Sequence, residues 1–313
     1  MVSWLAMDRK QLRAFVAVAE QRSFSAGARV LGTVQSNVSA HVARLEKQLG
    51  VLLIDRSTNE LTDEGRVVLE RARRIEGEFE ALDADVASLR DVVSGSVRLG
   101  AIGTTARWLV APLLDAVTAQ YPEIRVIVLD ATTTSLVPNL ASGAVDLAIV
   151  NLPIEQTDLL VEPLFDEDRI LIVPDGHPLA DHDSVTLSEL SRHELLLEAR
   201  GTAFRDVLDQ AAAAEGVVLH PKAELDGMRL LASLVFSGFG AGVVPASAIP
   251  PNVEATWRRI PVEGVPGRSV GLARRRRGLP TAAQRVVAEQ IRRTIAEGAT
   301  SVPGVYPTLR PAT

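Results

Sequence analysis

Apolar side chains recur along the first fifty residues with the period of a helix. Leu12, Phe15, Val16 and Ala19 fall at i, i+3, i+4 and i+7, so a first helix has one apolar face. Ser25 is suited to cap a second helix that runs through about Leu31, and Gly32 to end it. A third helix is predicted from roughly Val34 to Leu49, with Val38, Val42, Leu45 and Leu49 turned inward and Gly50 as its terminator. Its other face is polar, carrying Gln35, Ser36, Asn37, Ser39, His41 and Arg44. Two short helices joined by a tight turn, the second polar near its start, match the way a helix-turn-helix enters the major groove. Gln and Asn fit adenine with paired hydrogen bonds, and Ser can serve several bases. The same pattern also describes a small solvated three-helix bundle that binds nothing.

After Thr62, a good N-cap, the pattern lengthens. Val68, Ala72, Ile75, Phe79, Leu82, Val86, Leu89 and Val93 are spaced by fours and threes, flanked by charges such as Arg71, Arg73, Arg74, Glu76, Glu78 and Asp85. A lone helix would leave this stripe in water. A second copy of the chain is its simplest partner, and packing on its own domain is the alternative. Ser94, Gly95 and Ser96 then read as a hinge.

From Val97 onward strands and helices alternate. Residues 97–102, 125–129 and 146–150 are apolar runs with helical patterns at 107–120 and 135–142 between them, which predicts a parallel sheet covered by helices. A second set follows: strands at 169–174, 194–198, 217–221 and 241–245, with helices at 203–215 and 228–237. The chain returns to the first set through 269–274 and a last helix from Thr281 to about Glu297. Two α/β lobes joined by crossing strands leave a cleft for a small ligand. The Pro-, Ser- and Thr-rich tail after about Gly298 is expected to be disordered.

The 313 residues suffice for two or three domains, and 47% hydrophobic content suits a folded chain. A net charge of -6 argues against indiscriminate nucleic-acid binding. Within the first domain Arg9, Lys10, Arg13, Arg22, Arg29, Arg44, Lys47 and Arg56 nearly balance Asp8, Glu20, Glu46, Asp55, Glu60, Asp63 and Glu64. Specific binding therefore needs locally clustered cations and two copies of the domain, and it should weaken with salt. The absence of cysteine excludes disulfides, thiol catalysis and cysteine-ligated zinc. No signal peptide and no run approaching the roughly 18 apolar residues of a membrane span is present, so the cytoplasm is expected.

Catalytic signals are weak. His177 lies in a Pro-containing turn without a nearby nucleophile, and His182 and His193 lack metal-ligand spacing. The glycines of GAIGTT are not followed by Gly-Lys-Ser/Thr, so they form no phosphate loop. The run Arg274–Arg277 reads as a solvated edge or a subunit contact, with DNA as a further option. Neither a metal nor a cofactor is expected.

Five segments, LRAF at 12–15, SFSAGARVL, VQSNVSAHVARLEKQLGV, LIDRS and LTDEG, resemble the amino-terminal domain of LysR-type transcriptional regulators. GSVRLGAIGTTA, LASGAVDLAIV, VPDGHPLA, LLLEARGTAF and VFSGFGAGVVPAS resemble the same family's effector-binding domain, itself similar to periplasmic solute-binding proteins. The resemblance implies an α/β chain with a winged helix-turn-helix at 7–64 and a dimerisation linker helix at 65–93. An effector-binding domain at 97–297 follows, with lobe I at about 97–167 and 269–297 and lobe II at about 168–268, then the tail 298–313. Met7 stands where such proteins usually begin, so Met1–Ala6 reads as an extension or an alternative start. The implied partners are double-stranded promoter or operator DNA, a small-molecule effector, and further copies as a homodimer or homotetramer, with no membrane.

Gln35, Ser36 and Ser39 match recognition-helix positions that contact DNA in the family, and Arg56 matches an arginine after the wing strand. Three departures stand out. Ala40 replaces a common arginine, for which His41 or Arg44 would have to substitute. Gly27 replaces a common alanine, at about 1 kcal/mol of helix stability. The wing at Ser57, Asn59 and Glu60 is short and lacks the usual basic residue. The family's effector contacts fall on Thr104 and Thr105, on Thr132, Thr133 and Thr134, and on Thr202 and Phe204, with Phe239 and Gly240 bordering the cleft. Thr104 and Thr105 also have a physical reason: they follow a strand and open a helix, whose N-terminus favours an anion such as a carboxylate. The plainer role for either is to cap that helix. Two rivals remain, a solute-binding protein whose N-terminal domain only oligomerises, and an enzyme using the cleft.

Overall fold

A computed structural model describes residues 7–88, 93–249 and 256–308 of the chain. The Met1–Ala6 extension, Leu89 of the apolar stripe and the last five residues of the tail lie outside the described residues.

Three helices open the fold: α1 (Arg9–Gln21), α2 (Phe24–Val30) and α3 (Gln35–Leu49). Asp8 and Gln11 cap α1 reciprocally. Ser23, not Ser25, caps α2, accepting from the Ala26 N–H at 3.3 Å. Starting the helix there puts Phe24 in its first turn and into the core. Gly27 has a packing reason as well as a propensity cost. A Cβ there would stand 3.1 Å from the Val18 nitrogen and 3.2 Å from the Ala17 carbonyl carbon, so α1 and α2 cross on bare backbone. Phe15, Val18, Val38, Val42, Leu45, Leu53 and Ile54 fill the core. Leu49 is 37% exposed rather than inward. Glu46, three residues earlier, takes the buried position in the last turns of α3.

The wing is a single antiparallel bridge between Ile54 and Leu61. Beyond it runs α4 (Asp63–Ser88), its first turn capped by the Thr62 hydroxyl, which accepts from Gly65 N–H at 2.9 Å. A Cβ on Gly65 would lie 2.1 Å from the Leu53 carbonyl oxygen, so only glycine lets α4 leave the wing at this angle. The apolar stripe divides. Val68 and Ala72 pack into the helix's own domain with Leu69, whereas Ile75, Phe79, Leu82 and Val86 are exposed. Self-packing thus accounts for the start of the stripe and leaves its remainder open to a partner.

The rest is two sheets. Lobe I holds β1 (Gly95–Ala101), α5 (Gly103–Gln120), β2 (Ile124–Asp130), α6 (Thr133–Ser142), β3 (Leu147–Asn151) and β4 (Leu159–Glu167). Lobe II holds β5 (Arg169–Pro174), α7 (Leu187–Leu190), β6 (Glu194–Glu198), α8 (Ala203–Ala214), β7 (His220–Leu225), α9 (Met228–Phe236), β8 (Ala241–Pro245) and β9 (Trp257–Pro261). The chain returns to lobe I as β10 (Arg268–Arg275), α10 (Ala282–Gly298) and β11 (Val305–Pro307). The first sheet has the order β11-β4-β10-β3-β1-β2, with β1 parallel to β2 and β3 and with β10 antiparallel to β3 and β4. The second has the order β7-β6-β8-β5-β9. Crossings fall at Asp168 and between β9 and β10. Lobe I's core continues across them onto Ile170, Ile172, Leu196 and Val244.

Three expectations need correction. The strand expected at 217–221 begins at His220, because Val218 is exposed in the irregular segment before it. β4 and β9 were not anticipated. The tail is ordered as far as residue 308: Val302 and Val305 are buried, and β11 pairs antiparallel with β4. Those two valines supply the apolar anchor that the Pro- and Ser-rich composition hides.

Candidate functional site

Two regions collect the candidate residues. On α3, Gln35, Ser36, Asn37 and Arg44 are exposed, and Ser39 and His41 are half-buried. Val34 occupies the N-cap without a side-chain hydrogen bond, so the helix's first N–H groups stay open toward an anion. The Asn37 amide donates to the Thr33 hydroxyl at 3.1 Å, which ties it to the turn. His41 Nδ1 is buried with no partner among the described residues, so the ring turns inward. Of the two side chains flanking Ala40's face, Arg44 is the exposed one.

Arg56 is braced rather than free. Its guanidinium donates to Glu46 at 2.7 Å and lies 4.5 Å over the Phe24 ring, leaving its side chain 43% exposed. The second Glu46 oxygen accepts from Leu53 and Ile54 N–H at 3.0 and 3.3 Å. Glu46 therefore joins α3, the wing strand and Arg56, a role not foreseen. A carboxylate between Val42, Leu45 and Leu49 in a helix was the available signal, since a buried charge needs partners. At the wing tip, the Ser57 hydroxyl and N–H hold the Asp55 carboxyl below its ordinary range. The tip is acidic, consistent with the missing basic residue.

The second region lies where lobe I meets lobe II. Thr104 and Thr105 are buried in the first turn of α5, and neither caps it; Ile102 is the N-cap. The Thr104 hydroxyl accepts from Arg268 at 2.6 Å. Arg268 also donates to Glu167 at 2.6 Å and to the Ser247 hydroxyl at 3.4 Å, while Ser247 N–H donates to the other Glu167 oxygen at 2.7 Å. Thr105 Oγ1 is buried without a partner among the described residues. From lobe II, Thr202 caps α8 through Arg205 N–H at 3.3 Å, and its hydroxyl lies 3.3 Å from Glu198. Phe204 carries the Arg169 guanidinium 4.5 Å above its ring.

Arg169 is 6% exposed, and its Nε and Nη1 have no partner among the described residues. Burial, with Arg268 nearby, pushes its pKa down to about 10 against the pull of Glu167 and Glu198. Burial likewise pushes the Glu198 carboxyl up. None of these charged groups was anticipated from the sequence. For Glu167, Arg169 and Arg268 the position beside a crossing was the signal; Glu198, at the end of β6, had none.

The remaining threonines stand further out. Thr133 accepts from Asn151 N–H at 3.0 Å, and the exposed Thr132 and Thr134 hydroxyls bond each other at 2.9 Å. Beside them an Asp130–Arg229 ion pair links the lobes. Phe239 is exposed, with Lys222 Nζ 4.6 Å over its ring. Trp108 packs edge-on against Phe165, and Arg107 donates to the Ala248 carbonyl at 3.1 Å. The His177 and His193 rings stand 5.2 Å apart.

Comparison with known proteins agrees with this layout. Residues 9–66 match the model of bacterial regulatory helix-turn-helix proteins of the lysR family, and residues 90–296 match the LysR substrate binding domain. A probable hydrogen peroxide-inducible genes activator of Mycobacterium leprae is 36% identical over 292 residues, covering 90% of this chain and 92% of that protein. Among solved structures, a full-length Pseudomonas aeruginosa OxyR with a cysteine-to-aspartate change superposes with a TM-score of 0.74 at 25% identity, covering 98% of this chain and 99% of that one. Full-length CbnR in complex with its target DNA gives 0.66 at 26% identity, covering 92% and 100%. No helix among the described residues is long and apolar enough to cross a membrane.

Proposed function

The chain belongs to the LysR family of transcriptional regulators, and we propose that it reads promoter DNA with α3 and takes its signal from a small anion held between the two lobes. The observation that carries the first half is the exposed polar edge of α3 on a fully packed core, with Gln35, Ser36 and Ser39 leading into the groove. Asn37, Arg44 and the braced Arg56 flank them, and His41 supports from within. Residues 7–64 form the DNA-binding unit, residues 65–93 the linker and residues 97–297 the effector-binding unit. The exposed seam from Ile75 to Val86 pairs two chains, which sets two reading helices on two half-sites.

Charge supports the second half. Arg169 and Arg268 face Glu167 and Glu198, and burial, with Asp226 adding to it, raises the Glu198 carboxyl and so weakens its hold as a counter-charge to Arg169. A carboxylate meets the unpartnered Arg169 donors and the Thr105 hydroxyl. Thr104, Thr202 and Phe204 shape the same wall, with Thr132, Thr133 and Thr134 at its outer end. An effector that favours one lobe arrangement shifts the spacing of the DNA-binding units. The Mycobacterium leprae relative is named for hydrogen peroxide, yet this chain has no cysteine, so no thiol carries such a response here. We take it to act in the cytoplasm, as a regulator without catalysis.

Gel-shift titration of a promoter fragment with Gln35→Ala and Ser39→Ala tests the reading. Each lost base contact is worth about 1–3 kcal/mol, so affinity should fall roughly 5- to 150-fold with an unchanged melting temperature. Normal binding by both variants would remove α3 from the interface.

A further inference from the structure

The joint between the linker helix and lobe I forms a half-open cavity of about 200 Å³ that neither region above uses. Arginines from α4, β1 and the run at the end of β10 line it, outnumbering its carboxylates six to three. Two of them grip the C-terminal end of α6 from opposite sides. Arg74 of α4 donates to the Ala141 carbonyl at 2.7 Å, and Arg275 donates to the Leu140 and Val145 carbonyls at 3.0 and 2.8 Å. Both flank Gly143, whose φ of +83° leaves room for them. Burial holds the Arg275 guanidinium below its ordinary range, and Arg74 adds repulsion that Asp146 and Glu78 oppose.

Arg73 and Arg74 pair with Glu20 and Glu70 from outside the lining, and Arg275 with Asp146, but donors remain open. Arg74 Nε is buried without a partner among the described residues. The Arg98 and Arg277 guanidinium groups line the cavity and pair with no described carboxylate, although the Arg98 backbone N–H donates to Asp146 at 2.8 Å. The Arg274–Arg277 run is thus neither a plain solvated edge nor a free DNA-binding strip. Arg275 and Arg276 close turns by donating to backbone carbonyls, and Arg277 faces the cavity.

We propose that this cavity is a second ligand site, for a phosphate group, whose occupation ties the linker helix to lobe I. Guanidinium forks match phosphate oxygens in pairs, and Arg98, Arg277 and the Arg74 Nε supply open donors for more than one oxygen. The space admits a phosphate with a small organic substituent and excludes a duplex. On α4 the cavity uses Arg74, Glu78 and Ala81, the face beside Ile75, Phe79, Leu82 and Val86, so ligand binding and chain pairing are compatible. Because α4 also carries the helix-turn-helix, fixing this joint fixes the reading helix relative to the lobes.

Calorimetric titration of the full-length protein in chloride buffer with inorganic phosphate, and separately with glycerol phosphate, tests the site. Hydrogen exchange along residues 70–81 gives a second readout. Phosphate should bind and slow that exchange, and affinity should fall by about tenfold or more in Arg74→Gln and in Arg277→Gln. Arg277 is exposed, so its variant keeps the fold even if Arg74→Gln does not. Tighter binding of the ester assigns a phosphorylated metabolite, and equal affinity assigns the free ion. No binding heat, or unchanged affinity in Arg277→Gln, overturns the proposal. So does loss of phosphate binding in Thr105→Val, which would place the anion between the lobes instead.

Discussion

On α3 most of the side chains proposed to meet DNA, Gln35, Ser36, Asn37 and Arg44, are exposed, and Val38, Val42 and Leu45 beneath them carry the packing. Between the lobes the order is reversed: the candidate contact Thr104 is buried and bonded into a network with Glu167, Ser247 and the nearly buried Arg268. The ligands explain the difference. A duplex is met on an open surface and released by salt. A small molecule must be enclosed, and groups that wait for it out of water need partners meanwhile. Binding and stability are therefore separable on α3 and joined between the lobes.

Glu167→Ala is the hardest test of that contrast. It leaves Arg268 buried without its carboxylate, so unfolding in urea should show a loss of about 3–5 kcal/mol. A loss under about 1 kcal/mol would mean that water already serves Arg268, and the interlobe site would then resemble α3. Glu46→Gln probes the one place where the reading domain behaves like the lobes. Removing this charge weakens the bonds to Arg56, Leu53 and Ile54, with an expected cost of about 1–3 kcal/mol and weaker operator binding through a looser wing. If affinity holds while stability drops, Arg56 and the wing are structural only.

The same contrast decided what was legible beforehand. Residues 169–174 and 194–198, apolar runs between turns, match β5 and β6 at both ends. The α3 face was readable because its period is local. β4 escaped because Glu162 and Pro163 interrupt LLVEPLFDE, and β9 because WRRIP holds a single buried aliphatic, Ile260. Thr132, Thr133, Thr134 and Phe204 entered only through family resemblance, and Thr104 and Thr105 mainly so. Arg268, 164 positions from Thr104 and 101 from Glu167, is coupled to neither by any local pattern. A charged residue near a turn reads as solvated until the crossing strands fold it inward.

The smallest expected effect tests the charge assigned to the interlobe site. Burial, with Asp226 adding to it, raises the Glu198 carboxyl, while the Thr202 hydroxyl, Arg268 and Arg169 pull it back. The folded chain therefore holds this proton more tightly than the unfolded chain. The stability from Glu198 is fully present below the ordinary glutamate range and is lost as pH rises through the raised value. Glutamine keeps the shape, still accepts from Thr202 and never ionises. Urea midpoints of Glu198→Gln and the parent should coincide in acid, and the variant should gain as pH approaches neutrality, by less than either change above costs. If the parent is instead the more stable at neutral pH, Arg169 holds Glu198 as a settled ion pair. Glu198 would then already serve as the counter-charge to Arg169, and the reason for an anionic effector would go with it.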